Sequence, residues 1–200
     1  MPIILILFII FLVVFRIKIN KTSKKHLSSK EAFWQKESES NFVRKKNIDD
    51  LDYISIPVDA LPFDFNTDDE DIKAIQDKIT QISDLKLINL KGYSNTDIKL
   101  KYGTSNLELL SSYEDNYTRL LRSLLKWGKL LYESERIDDA TKVLEYGVSI
   151  ETDISEHYIL LARIYKRSNK MDKIIDLIHK VDNLDSLMKE KTIETLNAFL

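Results

Sequence analysis

"SLLKWGKLLYESERIDDATKVLEYG", residues 123–147, decides the fold. Leu124, Trp127, Gly128 and Leu131 share one face at helical spacing, and Ala140, Leu144 and Gly147 do so after the polar turn SERIDD. Apolar positions three and four apart form the buried stripe of an amphipathic helix, so the stretch reads as a helical hairpin.

The pattern recurs. Leu124, Trp127, Gly128 and Leu131 have counterparts at Tyr158, Leu161, Ala162 and Tyr165. At the same offset, Ala140, Leu144 and Gly147 have counterparts at Ile174, Ile178 and Val181. A hydrophobic code repeated at fixed period across two helices is the signature of a stacked array, in which each unit buries its apolar face on a neighbour. Over positions 121–186 this resembles the tetratricopeptide repeat (TPR), a helix-turn-helix unit of about 34 residues. Gly128 and Ala162 match the small residue of its first helix, Ala140 that of its second, and Tyr165 its aromatic. The departures are Thr152 and Ser186 where each unit usually closes on Pro, Glu135 and Asn169 at the turn Gly, and Ile174 at a small-residue position. Only Asn among these turn residues readily adopts a left-handed backbone. The second pair is therefore expected to pack more loosely. The sequence "DISE", residues 153–156, has the D-x-x-E spacing of a helix cap where the second unit should begin. Leu187, Ile193, Leu196 and Phe199 supply one further helix, a half-unit that would cap the stack.

The resemblance implies a concave face formed by the first helix of each unit, on which such repeats bind peptides. Carried onto this chain, that face presents Arg122, Leu125, Lys129, Tyr132, Glu156, Ile159, Arg163 and Lys166. Four of the eight are basic, which implies an acidic protein or peptide segment as partner. The competing reading is an ordinary solvated helix face.

Composition agrees with helices. The chain has 200 residues, 44% hydrophobic and 31% charged, with four Gly and three Pro, too few for a turn-rich sandwich or barrel. A net charge of −2 gives no global case for nucleic acid, and the absence of cysteine excludes disulfides and thiolate metal sites.

Met1–Phe15 carries no charged side chain, and Ile17 and Ile19 extend the apolar run past Arg16. Fifteen helical residues rise about 22 Å, short of a hydrocarbon core of roughly 30 Å, but Arg16 and Lys18 can snorkel to the headgroups. Basic residues come after the run instead of before it, and no small-residue cleavage site appears. Residues 1–20 thus read as an uncleaved transmembrane anchor, with a cleaved signal peptide as the competitor. Arg16, Lys18, Lys21, Lys24, Lys25 and Lys30 precede the first acidic residue, Glu31, which places the remainder of the chain in the cytoplasm. The same flank can lie on anionic headgroups.

Residues 21–47 read as a basic juxtamembrane segment and then a charged helix. Its aromatic pair Phe33–Trp34 either sits at the membrane interface or packs on the domain behind it. Residues 48–120 read as an extended strap, interrupted by Pro57 and Pro62, and packing helices. One of these opens at Thr67 or Asp68 with the stripe Ile72, Ile75, Ile79 and Ile82. Another lies between Ser94 and Gly103, and a third is capped by Ser105 or Asn106. Residues 121–200 hold the repeats and the capping helix. The acidic run at Asp64–Asp71 lacks the Gly and closing Glu of a calcium loop, since Asp69 and Ile75 stand there. The three histidines form no metal-spaced pair, and there is no phosphate loop, nucleophile elbow or dinucleotide turn. The expectation is an all-helical, TPR-like, membrane-anchored scaffold without catalysis, cofactor or metal. A lipid-headgroup-sensing module and a secreted or lumenal enzyme released by anchor cleavage are the alternatives.

Overall fold

A computed structural model describes residues 8, 11, 15, 16, 18 and 30–200. Most of the expected anchor, residues 1–20, lies outside the described residues. Among those described, no helix is long and apolar enough to cross a membrane. The described chain is all-helical, without strands, and divides into two units: residues 1–48 with Tyr93–Leu107, and Asp49–Gly92 with Glu108–Leu200.

In the first unit, residues 30–40 are helical, and the chain then leaves the helix well before residue 47, the expected end. A short helix α2 (Asn95–Tyr102) opens on Ser94, whose hydroxyl accepts from Asp97 N–H while the Asp97 carboxylate accepts from Ser94 N–H, a complete capping box. Polar groups join it to helix 30–40. Lys36 pairs with Asp97 at 2.6 Å, and Glu37 accepts from both Lys99 and Thr96. Gly103 ends α2 at φ +92, and a side chain there would collide with the backbone at Arg44, so both conformation and space require glycine. Asn106 does not cap a helix. Its amide donates to Lys46 O at 2.8 Å and Tyr102 O at 2.7 Å, fixing the loop after helix 30–40.

The second unit contains residues 121–200, where the sequence period lies. Helix α1 (Glu70–Ser83) is capped by Asp69, one residue beyond the expected cap, its carboxylate accepting from Asp71 and Ile72 N–H at 3.0 Å. Ile72, Ile75, Ile79 and Ile82 are its buried stripe, as the periodicity requires. After a 3-10 turn (Thr104–Asn106), α3 (Leu107–Glu133) runs unbroken through residues 120 and 121, because no proline and no left-handed glycine interrupts it. Helices α4 (Ile137–Ser149), α5 (Ser155–Arg167), α6 (Met171–Asp182) and α7 (Lys189–Asn197) come next in the chain. The boundaries keep the sequence period: α3 and α5 end at Glu133 and Arg167, α4 and α6 begin at Ile137 and Met171, and α5 and α7 begin at Ser155 and Lys189. Each pair is offset by the same step as the apolar code.

The turns repeat bond for bond. Glu135 and Asn169 both adopt left-handed backbone, at φ 58 and 55. Arg136 N–H donates to Leu131 O, and Lys170 N–H to Tyr165 O, both at 2.9 Å, the six-to-one bond that closes a Schellman motif. Geometry that usually takes Gly is met here by Asn once and by Glu once. The expected "DISE" cap does not form. Ile154 stands at the cap of α5 with no side-chain bond, and Asp153 instead pairs with Lys91 at 2.7 Å.

One apolar core runs through α1 and α3–α7. Gly128 lies so close to α4 that a Cβ would stand 2.7 Å from the Leu144 side chain. Trp127 is fully buried, its ring centroid 4.8 Å from that of Phe63. Phe63 belongs to the strap of residues 49–66, which is extended and turned, with no strand ladder. Ile56 and Leu61 from the strap are buried in the core, and the Tyr146 hydroxyl donates to Ser55 O at 3.1 Å. Ile174, where a small residue was expected, is fully buried.

Candidate interaction site

The eight residues expected on the first-helix face fall on α3 (Arg122, Leu125, Lys129, Tyr132) and α5 (Glu156, Ile159, Arg163, Lys166). The structure brings one pair of them, Lys129 and Glu156, into contact. Lys129 approaches Glu156 at 3.7 Å across the two helices, both side chains near half exposed, so the pair orients more than it stabilises. The Tyr132 ring receives Arg167 of α5, with the guanidinium 5.7 Å from its centroid and a hydrogen bond of 3.3 Å. Lys166 reaches over Phe199, beside α7, at 5.8 Å, which ties that end of the face to the C-terminal helix. Leu125 and Ile159 are half-buried beside these charges. Arg122 and Arg163 are exposed and make no hydrogen bond or ion pair within the described residues. The face therefore carries two unneutralised guanidiniums flanking a partly satisfied Lys–Glu pair, over an aliphatic floor. That combination suits a carboxylate-bearing segment with an apolar side chain.

Charge is unevenly distributed. The first unit has twelve basic and four acidic residues, a balance of +8, so the second unit carries −10 of the net −2. Within that acidic unit α3 is balanced, with Glu108, Glu114 and Asp115 ahead of Arg119, Arg122, Lys126 and Lys129 and with Glu133 at its end, while α5 carries Arg163, Lys166 and Arg167 against Glu156. On α4 and α6 the acidic side chains Asp138, Asp139, Glu145, Asp172, Asp176 and Asp182 are interspersed with Lys142, Lys173 and Lys180.

A second feature was not legible in the sequence. A cleft of about 460 Å³ lies where the segment after α1, the α4–α5 loop and the end of α6 meet, with Lys91, Glu151, Asp153, Tyr158, Lys180 and Asp185 on its walls. A smaller cavity of about 210 Å³ shares Val148 and Lys180 with it. Buried tyrosines hold its loop in place. The Tyr117 hydroxyl donates to Ile150 O at 2.7 Å and lies 3.1 Å from Glu151 O, and the Tyr158 hydroxyl donates to Thr152 O at 2.8 Å. Burial pushes both phenols above their ordinary range, so they act as fixed donors. In the smaller cavity Glu145 accepts from Tyr165 at 2.6 Å and from Lys173 at 2.7 Å. Burial opposes the Glu145 carboxylate, but these two donors outweigh it and hold its pKa below the usual value. The walls mix both signs, and Lys91 and Asp153 are paired with each other, so the cleft favours no single ligand charge.

No three His, Asp or Glu side chains among the described residues converge as a metal site. Comparison with protein-family models, curated proteins and solved structures returns no match to this chain.

Proposed function

We propose that this chain is a non-catalytic, membrane-anchored scaffold whose TPR-like hairpins bind an acidic segment of a partner protein on the α3/α5 face. In this reading residues 1–20 hold the chain in the bilayer and the repeats face the cytoplasm. The observation that carries it is the pair of guanidiniums, Arg122 and Arg163, unpartnered among the described residues, on the basic first-helix face of a unit whose balance is −10. A solvated surface selected only for solubility has no reason to place four basic side chains and one acidic one on this face of a unit whose balance is −10. The constant offset between helix ends supports the stacked-hairpin reading, and the basic flank after Phe15 supports the topology.

The test is charge reversal on the face against reversal elsewhere in the same unit. Lys129→Glu with Arg163→Glu should abolish capture of a Glu-rich peptide and leave the thermal midpoint nearly unchanged, because exposed substitutions shift stability by no more than about 0.5 kcal/mol. Lys142→Glu with Lys78→Glu, both exposed on other helices, should leave capture intact. Lys173 is unsuitable as such a control, since it is bonded to Glu145. Equal capture by both double variants would remove the face from consideration.

A further inference from the structure

We propose that the first unit lies against an anionic lipid surface, with the Phe33–Trp34 pair seated among the headgroups. The inference rests on the reading that residues 1–20 bring this unit to a bilayer, and adds a lipid contact that the anchor alone does not require. Phe33 and Trp34 are 54% and 59% exposed, with ring centroids 5.5 Å apart in an edge-to-face arrangement. They stand on helix 30–40, whose packed side is already accounted for: Lys36 and Glu37 are engaged by α2, and Ser40 is fully buried. Both rings keep more than half of their surface outside that packing, which leaves them for another medium.

Charge identifies that medium. With a balance of +8, the unit would be strongly attracted to anionic headgroups. Two of its four acidic residues, Glu37 and Asp97, are held in ion pairs with Lys99 and Lys36, which leaves Arg44, Lys45 and Lys46 as a further basic run beside the exposed Phe42. Tryptophan beside basic side chains is the composition favoured at a membrane–water interface, where the ring is buried to headgroup depth and the cations meet phosphates. An acidic protein could attract the same charges. It would not be expected on the strength of the apolar, charge-free run Met1–Phe15 that precedes Phe33.

The chain contains two tryptophans, and the other, Trp127, is fully buried. The difference in fluorescence between the full chain and its Trp34→Phe variant therefore reports Trp34 without disturbing the core. Both are reconstituted in neutral phosphatidylcholine vesicles and in vesicles containing phosphatidylglycerol, with and without brominated acyl chains. The expected result is that brominated lipid quenches Trp34 severalfold more in the anionic vesicles, and that added salt reverses the gain. Chain that floats with both vesicle types while Trp34 stays open to aqueous quencher would overturn this inference and leave the anchor intact. Quenching equal in neutral and anionic vesicles would overturn the role of charge. Chain that floats with neither would overturn both the inference and the anchored reading beneath it.

Discussion

His157 is a buried polar residue with a measurable consequence. Its Nε2 lies 3.0 Å from Leu121 O and donates to it, which leaves Nδ1 as the unprotonated nitrogen, buried, without a partner, and close against Gly147. Burial drives its pKa down to about 4 from 6.5, with Lys129 and Lys91 also disfavouring the cation and Asp153 and the Leu121 carbonyl opposing them. Between these values the unfolded chain takes up a proton that the folded chain refuses. The neutral ring therefore costs nothing above pH 6.5, and stability falls as pH drops from there toward 4, by about 3 kcal/mol at full separation. Urea titrations across this window should lose that component of the slope in His157→Gln; an unchanged slope would mean that other groups carry it. Gly147 belongs to the same contact, since a Cβ would stand 2.6 Å from the imidazole. Gly147→Ala should cost about 1–3 kcal/mol despite alanine's better helix propensity, as overpacking does. Trp127→Ala should cost about 3–5 kcal/mol, because the ring is fully buried against Phe63. A loss under about 1 kcal/mol would contradict that packing.

At the scale of elements, periodicity carried more information than capping residues did. The Ile72–Ile82 stripe and the buried positions of α3 and α5 follow from apolar spacing, because a helix must bury such a stripe. Cap positions were less legible. Asp69, not Thr67 or Asp68, caps α1, and Asp153 is drawn away from the α5 terminus by Lys91. A local rule cannot register a competing partner supplied by a distant segment of the chain. The repeated turns give a sharper test. Glu135 sits at φ 58, where a side chain costs roughly 1–2 kcal/mol, while Asn169 at φ 55 is tolerated better. The ion pair of Glu135 with Arg167, at 3.6 Å and largely exposed, returns little of that cost. Glu135→Gly should therefore stabilise the fold by about 1 kcal/mol after the extra backbone entropy of glycine is deducted, and Asn169→Gly should change it by less. If Glu135→Gly lowers the urea midpoint, the left-handed turn is not under strain.

At the scale of the molecule, the sequence displays a basic beginning but conceals how the charge is divided. Lys99 and Lys101 join the first unit only because α2 packs beside helix 30–40, and the cleft at Lys91 and Tyr158 needs three separate segments brought together. Neither follows from any one stretch. The last helix, by contrast, was legible in the apolar spacing of Ile193, Leu196 and Phe199. Helix α7 begins one repeat period after α5, and its Leu196 is fully buried while Thr192 donates to the Ser155 hydroxyl at 2.7 Å. A terminal helix in a stack shields the apolar face of the unit before it from water. Leu196→Ala should accordingly cost about 2–5 kcal/mol. Leu187, fully exposed before α7, provides the comparison, and Leu187→Ser should leave the thermal midpoint unmoved. Removing residues 187–200 should do more than lower the midpoint: it uncovers the α5 and α6 surfaces that α7 packs on, so the shortened chain should self-associate as its concentration rises and bind an apolar dye that the full chain does not. A shortened chain with the original midpoint and no concentration-dependent sedimentation would mean that α7 lies on the stack without closing it.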